Sequence, residues 1–255
     1  MSTPALTPTR ILLVTGGSRG IGAATAVLAA RAGWDVAINY TRDATAAEAV
    51  AAEVRALGRR AMVVQADVAN EAQVLAMFAA VDASLGRVTG LVNNAGIVDL
   101  PARLDEMSLQ RLQRMWAVNI TGSFVCAREA LKRMSRRHGG PGGAIVNLSS
   151  AAARLGSPNQ YVDYAASKGA IDTFTLGLAR EVAAEGVRVN GVRPGIIDTD
   201  IHASGGQPDR AAQMAPSVPL QRAGTSEEVA AAIVWLLSDE ASYATGTTID
   251  VTGGR

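Results

Sequence analysis

The sequence predicts an α/β fold: one doubly wound sheet of seven mostly parallel strands, with helices on both faces, in a single domain. Two observations predict it. Short apolar runs rich in β-branched residues alternate with Ala-rich stretches of helical periodicity along the chain. No linker or shift of composition divides the 255 residues, a length that single α/β domains commonly reach.

A strand is predicted wherever a short apolar run ends at a glycine or polar turn. The first run, ILLVT at 11–15, leads into a cluster of glycines, which is typical of a buried strand. The other strands are predicted at 36–40, 61–67, 88–96, 144–150, 187–195 and 247–251.

A helix is predicted wherever apolar residues recur at helical spacing, and in several cases a glycine follows as a stop. These stretches are 20–32, 43–57, 71–85, 108–137, 163–185 and 226–238. The longest, 108–137, is interrupted around Asn119 to Gly122.

Two segments fall outside the alternation. Residues 1–9 are polar, carry Pro4 and Pro8, and are predicted to form a flexible tail before a domain at 10–255. Residues 196–224 contain several Pro and Gly with weak periodicity, so we expect a mobile flap over the substrate.

Composition argues against several functional classes. The longest apolar run, Val229 to Leu237, is far shorter than the roughly 20 residues of a membrane span, so we expect no membrane partner. A net charge of +1 gives no general attraction to nucleic acid. The single cysteine, Cys126, excludes an internal disulfide, and two histidines argue against a metal site. The first residues lack a signal-peptide pattern, so a cytoplasmic location is expected.

A glycine-rich turn after the first strand is typical of a dinucleotide site. Glycines without Cβ allow a tight turn and close approach of backbone N–H groups to a pyrophosphate at the helix N-terminus. Three residues separate Gly16 from Gly20, whereas the usual G-x-G-x-x-G motif has one residue between its first two glycines. A plain glycine turn therefore remains an alternative. The candidate residues are Gly16, Ser18, Arg19, Gly20, Ile21 and Gly22.

The end of the second strand indicates which dinucleotide would bind. An NAD-preferring site places Asp or Glu there to bond the ribose 2′-hydroxyl. This strand ends in Asn39, Tyr40, Thr41 and Arg42, and Arg19 is also expected in reach. Arginine pairs well with phosphate, so NADP(H) is the preferred cofactor and NAD(H) a possible one. The alternative is that both arginines are solvated surface residues.

Tyr164 and Lys168 form the catalytic pair that the sequence predicts. They lie i, i+4 on one helix, so their side chains share a face. An ammonium close to a phenol favours the phenolate, and the expected lowering of the tyrosine pKa would suit proton transfer to a carbonyl or from an alcohol. Lysine is informative here, because the chain has 22 Arg and only two Lys. A solvated Tyr–Lys pair is the alternative.

Taken together, these motifs resemble the short-chain dehydrogenase/reductase family over essentially the whole chain from Arg10. The likeness is nearest to its 3-oxoacyl-(acyl carrier protein) reductase and glucose 1-dehydrogenase-like branches. It implies a Rossmann-type fold, a nicotinamide cofactor and hydride transfer between an alcohol and a carbonyl. The motifs are TGGSRGIG at 15–22, Asp67-Val68, NNAG at 93–96, Asn119, Ser149-Ser150, YAASK at 164–168 and Pro194-Gly195.

The resemblance also implies roles for single residues. Asp67, beside Val68, would accept from the adenine amino group, and Lys168 would bond the nicotinamide ribose. Asn119 would hold a water that connects to Lys168. The adenosine ribose region would be lined by Asn93, Ala95 and Gly96, and the nicotinamide and nearby phosphate by Pro194, Gly195, Ile197 and Thr199.

The family's serine usually precedes the tyrosine by about 13 residues, whereas Ser150 and Ser149 precede Tyr164 by 14 and 15. Adjacent residues of a strand point to opposite faces, so one of the two reaches the site. Ser150 is the predicted catalytic serine, with the extra residue placed in the loop around Pro158 to Val162.

Two other functions remain open at this point. The basic run at 132–137 could dock an acidic acyl carrier protein, or could simply match the dipole of a helix C-terminus. A non-catalytic dinucleotide sensor is the second, although its expected mark, a damaged Tyr–Lys pair, is missing. A small-molecule carbonyl or alcohol substrate is preferred. The family tendency predicts a homotetramer, with a homodimer as the alternative.

Overall fold

A computed structural model describes residues 10–255. The predicted tail at 1–9 lies outside the described residues. The strands are β1 (Ile11–Val14), β2 (Asp35–Tyr40), β3 (Ala61–Gln65), β4 (Gly90–Asn93), β5 (Gly143–Leu148), β6 (Val187–Pro194) and β7 (Thr248–Val251).

The seven strands form one sheet in the order β3-β2-β1-β4-β5-β6-β7. Every adjacent pair is parallel. The predicted doubly wound sheet is therefore confirmed, with all of its strands parallel.

Ten α-helices connect or follow the strands in the described part of the chain. They are α1 (Gly20–Arg31), α2 (Ala44–Ala56), α3 (Glu71–Ser84), α4 (Leu109–Trp116), α5 (Gly122–Met134), α6 (Ala152–Leu155), α7 (Val162–Val182), α8 (Ile201–Ser204), α9 (Arg210–Met214) and α10 (Ser226–Leu237). None is long and apolar enough to cross a membrane.

Two apolar cores lie on the two faces of the sheet. One face packs against α3, α5 and α7, with Phe78 and Ile145 wholly buried there. The other packs against α1, α2 and α10, with Leu12 and Ile233 wholly buried. Alternate residues of β1 serve opposite cores: Leu12 and Val14 face one and Ile11 and Leu13 the other. A strand buried on both faces explains the unbroken apolar run in the sequence.

The strand order reverses between β1 and β4, and this reversal positions the site. The chain leaves β1 toward one edge of the sheet and leaves β4 toward the opposite edge. Because these two connections diverge, a crevice opens at the carboxyl ends of β1 and β4. The glycine turn after β1, the NNAG stretch after β4 and the serines after β5 all end at this crevice.

The structure refines two parts of the prediction. The helix predicted at 108–137 is divided into α4 and α5 by a π-helical turn at Ala117–Thr121, which contains Asn119. The expected flap, 196–224, contains the short helices α8 and α9 and a 3-10 turn at Ala215–Ser217. Elements this short do not complete enough turns to leave a periodic apolar pattern.

Candidate active site

The glycine turn is shaped so that side chains would not fit. Gly16 and Gly20 have φ of +61° and +53°, which favours glycine. A Cβ on Gly22 would lie 2.4 Å from the Gly16 carbonyl oxygen and 2.6 Å from Nδ2 of Asn94. Within the described residues no side chain caps α1, whose first turn also lacks an acid. Its free N–H groups and positive dipole end are therefore available to an anion.

The end of β2 lies beside this turn. Asn39 is buried, and its Oδ1 accepts from the Gly16 N–H at 3.2 Å, so the turn is anchored to β2. Tyr40 is partly buried, whereas Thr41 and Arg42 are exposed. The next acid, Asp43, caps α2 by accepting from the Ala46 N–H at 2.9 Å. That carboxylate is already used, so the 2′ position has no free acid from this strand.

Arg19 lies on the other side of the same turn. Its side chain is 62% exposed, and its guanidinium is 4.0 Å from the carboxylate of Asp200, also exposed. Ser18 and Ile21 are partly buried within the turn. A pair at this distance in solvent is weak, so Arg19 is able to turn toward a phosphate.

Asp67 and Val68 lie just beyond β3. The Asp67 carboxylate accepts from the Ala69 N–H at 3.0 Å and pairs with Arg114 of α4 at 3.0 Å. An adenine amino group would have to share it with these partners. Val68 is buried under Gly122, where a Cβ would approach it to 2.8 Å.

The NNAG stretch divides its work between the interior and the cleft. Asn93 is buried, and its Nδ2 donates to Asn147 Oδ1 at 2.9 Å and to the Ser123 carbonyl at 3.2 Å. Its side chain is thus engaged in the interior, and the expected place of Asn93 in the ribose region stays a prediction. Asn94 and Gly96 line the cleft. Ala95 is partly buried and donates its N–H to Oγ1 of Thr15 at 3.0 Å.

The two candidate serines have different surroundings. Ser149 is buried, and its hydroxyl donates to the Lys168 carbonyl at 3.1 Å. Both serines line the cleft, and the Ser150 hydroxyl lies close enough to the Tyr164 hydroxyl to favour ionisation of that tyrosine. The Ser150 hydroxyl also accepts from the Ala152 N–H at 3.1 Å, which fixes the side chain. This geometry favours Ser150 as the serine that shares a substrate oxygen with Tyr164.

Burial raises the pKa of Tyr164, and its hydrogen bond with Ser150 only partly opposes this. The sequence had predicted that the nearby Lys168 ammonium would lower this pKa. The Lys168 Nζ lies 5.6 Å from the Tyr164 ring centroid and donates instead to the Leu148 carbonyl at 2.7 Å. Tyr164 is consequently protonated at neutral pH in this state, which suits a proton donor.

Lys168 is buried, and burial lowers its pKa to about 8, while Asp172 one turn later opposes the shift. Its amine therefore titrates near physiological pH rather than near 10. A Cβ on Gly96 would lie 3.5 Å from Lys168 Nζ and 3.6 Å from Asn119 Oδ1. Both groups thus approach the same point of the cleft.

Asn119 is buried in the π-helical turn with its side chain fully engaged. Its Oδ1 accepts from the Ile97 N–H at 2.8 Å, and its Nδ2 donates to the Ile97 carbonyl at 3.0 Å and to Ser167 Oγ at 3.1 Å. The side chain thus fastens the chain after β4 to α5 and α7.

The segment after β6 closes the cleft. Pro194, Gly195, Ile197 and Thr199 all line it, and Thr199 packs against Gly20 of the glycine turn.

Three further residues contribute to the site, although no sequence motif points to them. Arg111 pairs with the wholly buried carboxylate of Asp163 at 2.8 Å and so fixes the residue before Tyr164. Tyr161 is buried and lines the cleft beside Tyr164. Arg210 lines its mouth. The spacing of Tyr161 and Tyr164, three residues apart in a chain with four tyrosines, was an available signal.

Comparison with known proteins agrees with this geometry. A family model described as enoyl-(acyl carrier protein) reductase matches residues 16–255. The chain belongs to the short-chain dehydrogenase/reductase family. As a member it is an oxidoreductase that acts on CH–OH or C=O groups with a nicotinamide cofactor.

Curated relatives cover almost the whole chain. It is 56% identical over 245 residues to a protein of Escherichia coli K12 named "Uncharacterized oxidoreductase YgfF", covering 96% of this chain and 99% of that protein. It is 41% identical to a 3-oxoacyl-[acyl-carrier-protein] reductase of Synechocystis, covering 96% of each chain.

Solved structures show the same fold. A short-chain type dehydrogenase/reductase from Mycobacterium marinum superimposes with a TM-score of 0.89 at 35% identity, over 96% of this chain and 94% of that one. A blue fluorescent protein from a metagenomic library, solved in complex with NADPH, gives 0.87 at 36% identity, over 96% and 97%.

The Cys126 side chain has no part in the cleft. Burial raises the pKa of the Cys126 thiol to about 12, so this residue stays protonated inside the core. In the described part of the chain no cluster of three or more His, Cys, Asp or Glu could hold a metal.

Proposed function

We propose that the protein is an NADP(H)-dependent oxidoreductase that interconverts a small carbonyl compound and its alcohol by proton transfer through Tyr164. The observation that carries this is the position of the Ser150–Tyr164 pair. It lies in one cleft with Lys168, and the same cleft reaches the uncapped N-terminus of α1 through Ile21.

The chain fits a dinucleotide phosphate on two grounds. The glycine turn excludes Cβ atoms from the space beside α1, and the free N–H groups there are unused by any cap in the described residues. Arg19 and Arg42 are exposed at this end, while Asp43 is held in its helix cap, which supports a preference for NADPH over NADH. A relative that binds NADPH supports it further.

When bound, the nicotinamide supplies or accepts the hydride. Tyr164 supplies the proton: its raised pKa keeps the hydroxyl protonated until the carbonyl oxygen gains negative charge. Ser150 holds that same oxygen, because its hydroxyl already contacts the Tyr164 hydroxyl. In the oxidation direction Tyr164 acts from its deprotonated form: the phenolate accepts the alcohol proton while Ser150 holds the alcohol oxygen.

Lys168 restores the proton to Tyr164 and binds the nicotinamide ribose. Its pKa of about 8 lets the amine exchange protons near neutral pH. Asn119 contributes rigidity, because its side chain ties Ile97 to Ser167 of α7, next to Lys168. The Ser-Tyr-Lys-Asn set acts as one proton-transfer unit.

Reduction of an acyl group on a carrier protein is the second candidate, favoured by the names of several relatives. The basic run at 132–137 could attract an acidic carrier protein, but two of its cations are already paired within the chain. Lys132 pairs with Glu129 at 2.8 Å, and Arg133 pairs with Asp82 at 2.7 Å. Much of its charge is therefore compensated within the chain, and a small free substrate is preferred.

We also propose a homodimer or homotetramer, located in the cytoplasm. Large apolar side chains remain exposed along α4, α5 and α7, including Leu109, Trp116, Phe124 and Leu176. Sedimentation equilibrium measures this state, and a monomer at micromolar concentration would exclude it.

A screen of ketones, aldehydes and their alcohols, with absorbance of the reduced cofactor as the readout, tests the proposed reaction. We expect oxidation of NADPH by at least one carbonyl class, and a lower KM for NADPH than for NADH. Tight NADPH binding without turnover on any substrate would instead favour a dinucleotide sensor. Turnover only with carrier-linked acyl groups, inhibited by salt, would favour the carrier-protein reductase.

A further inference from the structure

The mouth of the cleft holds a cation that the proton-transfer mechanism does not use. Arg210 begins α9, in the segment after β6, and is partly buried. It lines the same cleft as Ser150 and Tyr164. Arg210 therefore forms part of the wall of the cleft.

The Arg210 guanidinium contacts two side chains of the described residues, and both are uncharged. Its Nη1 donates to Oε1 of Gln207 at 2.6 Å, and its Cζ lies 5.3 Å from the ring centroid of Tyr161. The Tyr161 hydroxyl donates to the same Gln207 oxygen at 3.1 Å. The three side chains form a small platform that orients the guanidinium while leaving its positive charge uncompensated.

Several other partly buried arginines of the molecule pair with a carboxylate, whereas Arg188 is held by backbone carbonyls. Arg111 pairs with Asp163 at 2.8 Å, Arg193 with Asp172 at 2.8 Å, and Arg133 with Asp82 at 2.7 Å. Among residues 10–255, no Asp or Glu carboxylate forms an ion pair with Arg210. A partly desolvated cation without a counterion is costly, and an anion in the cleft would remove that cost.

The lining of the cleft does not supply that anion through its side chains. Of the lining residues in the described chain, none is Asp or Glu, and the cations are Lys168, Arg210 and Arg255. Arg255 is exposed, whereas Arg210 is partly buried. Arg210 is thus the added positive charge at the mouth.

Arg210 also approaches Tyr164 through its contact with Tyr161. Its partner Tyr161 immediately precedes α7, and the neighbouring Gln160 carbonyl accepts from the Ala102 N–H in the loop after β4. The glycine turn that would bind the cofactor phosphates follows β1 and contacts Thr199 instead. A substrate that reaches from Tyr164 to Tyr161 would meet Arg210.

We propose that Arg210 is a specificity residue that binds an anionic group of the substrate, a carboxylate or a phosphate ester. The preferred substrates are then carbonyl compounds, or their alcohols, that carry this anion some distance from the reacting carbon. This inference rests on the proposed function, because it assigns the substrate class of the same cleft.

Matched pairs of substrates test the proposal. Each pair is an oxo acid and its methyl ester on the same carbon skeleton, in a series of increasing distance between the carbonyl and the carboxylate. A parallel series with a phosphate ester distinguishes the two sources of negative charge. We expect wild-type kcat/KM to be at least about tenfold higher for the anion than for the ester, near one optimal length.

Substitution assigns the preference to Arg210. Arg210→Met should lower kcat/KM for the anionic substrate by about 10- to 100-fold, mostly through KM, and leave the ester within about twofold. Arg210→Lys should retain part of the preference. Arg222→Met is the matched control, because Arg222 belongs to the same segment but pairs with Glu228 at the surface, and it should change neither substrate.

Three results would overturn the proposal. Equal loss for both substrates in Arg210→Met would show that Arg210 only fastens the flap. Turnover of neutral carbonyls with no preference for anions would reject the anion site while the proposed reaction stands. If no carbonyl oxidises NADPH, calorimetry with glutarate, glutaramide and glycerol phosphate on the NADPH complex decides: no binding that depends on both charge and Arg210 would reject the site independently.

Discussion

The two ends of the cleft are built from different materials. The end beside α1 consists of backbone: three glycines of one turn, free N–H groups and the buried anchor Asn39. The end beside α9 consists of side chains from distant segments, among them Ser150, Tyr161 and Arg210. A backbone site binds what every member of a cofactor class shares, whereas a side-chain site distinguishes one substrate from another.

The difference also decides what each end tolerates. A change at the backbone end acts through shape, because neighbouring atoms are already closer than a Cβ permits. A change at the side-chain end acts through charge and proton transfer, and the fold survives it. The following predictions, from largest to smallest expected effect, break or sharpen this contrast.

Lys168 joins the two ends, so its removal should affect both. We expect Lys168→Ala to lower turnover by about 10²- to 10⁴-fold, the range of acid–base groups, and to weaken NADPH binding as well. Wild-type affinity for NADPH should fall as the pH rises through about 8, since the ammonium loses its proton there, and the variant should lack this step.

Fluorescence titration of NADPH across pH measures both effects. Lys132→Ala is the matched control, because Lys132 is the other lysine of the chain, is half-exposed and pairs with the buried carboxylate of Glu129. Normal NADPH binding by Lys168→Ala would remove the proposed ribose contact.

Gly22→Ala tests the backbone end by shape alone. The new Cβ would overlap the Gly16 carbonyl and Asn94 Nδ2, so the turn must shift. Overpacking of this kind costs about 1–3 kcal/mol, which corresponds to about a 5- to 150-fold loss of NADPH affinity if it falls on the bound state.

Gly177→Ala on α7 has open space around its Cβ and should bind NADPH like the wild type, with slightly raised stability. Calorimetric titration of both variants compares the two glycines. Unchanged affinity in Gly22→Ala would show that this turn does not hold the cofactor.

Ser150 and Ser149 offer a contrast within the side-chain end. Ser150→Ala removes the hydroxyl that contacts Tyr164 and should lower kcat/KM at least about tenfold. Ser149→Ala removes a buried bond to the Lys168 carbonyl and should mainly lower the melting temperature. The reverse order in kcat/KM would show that Ser149 is the residue that meets the substrate.

Cofactor choice is expected to depend on charge at the end of β2. Tyr40→Asp or Thr41→Asp should shift the ratio of kcat/KM for NADPH over NADH toward NADH by about tenfold or less, because a carboxylate would repel the 2′-phosphate. Arg42→Ala should shift it in the same direction. A wild-type enzyme that prefers NADH would show that Arg19 and Arg42 point elsewhere.

The backbone end could be predicted because its residues are contiguous and their chemistry is local. The glycine spacing is visible within one short stretch of sequence. The i, i+4 spacing of Tyr164 and Lys168, elsewhere in the chain, is equally local. The alternation of strands and helices similarly predicted the sheet, since strands buried on both faces leave unbroken apolar runs.

The substrate end could not be predicted in the same way. Arg210 meets Tyr161 only after the chain has folded, and one arginine among 22 carries little information. The direction of the Tyr164 pKa shift was wrong for a related reason. Spacing places Lys168 near Tyr164. Burial nevertheless raises the Tyr164 pKa, and the Lys168 ammonium donates its hydrogen bond to the Leu148 carbonyl.

Proton transfer by Tyr164 is the central claim, and single-turnover reduction by the NADPH-loaded Tyr164→Phe variant tests it most directly. The substitution removes one hydroxyl and keeps the ring. The account predicts that the rate of NADPH oxidation falls at least about 10²-fold, while the Kd for NADPH and the melting temperature stay within error of the wild type. A variant that oxidises NADPH at the wild-type rate would contradict it.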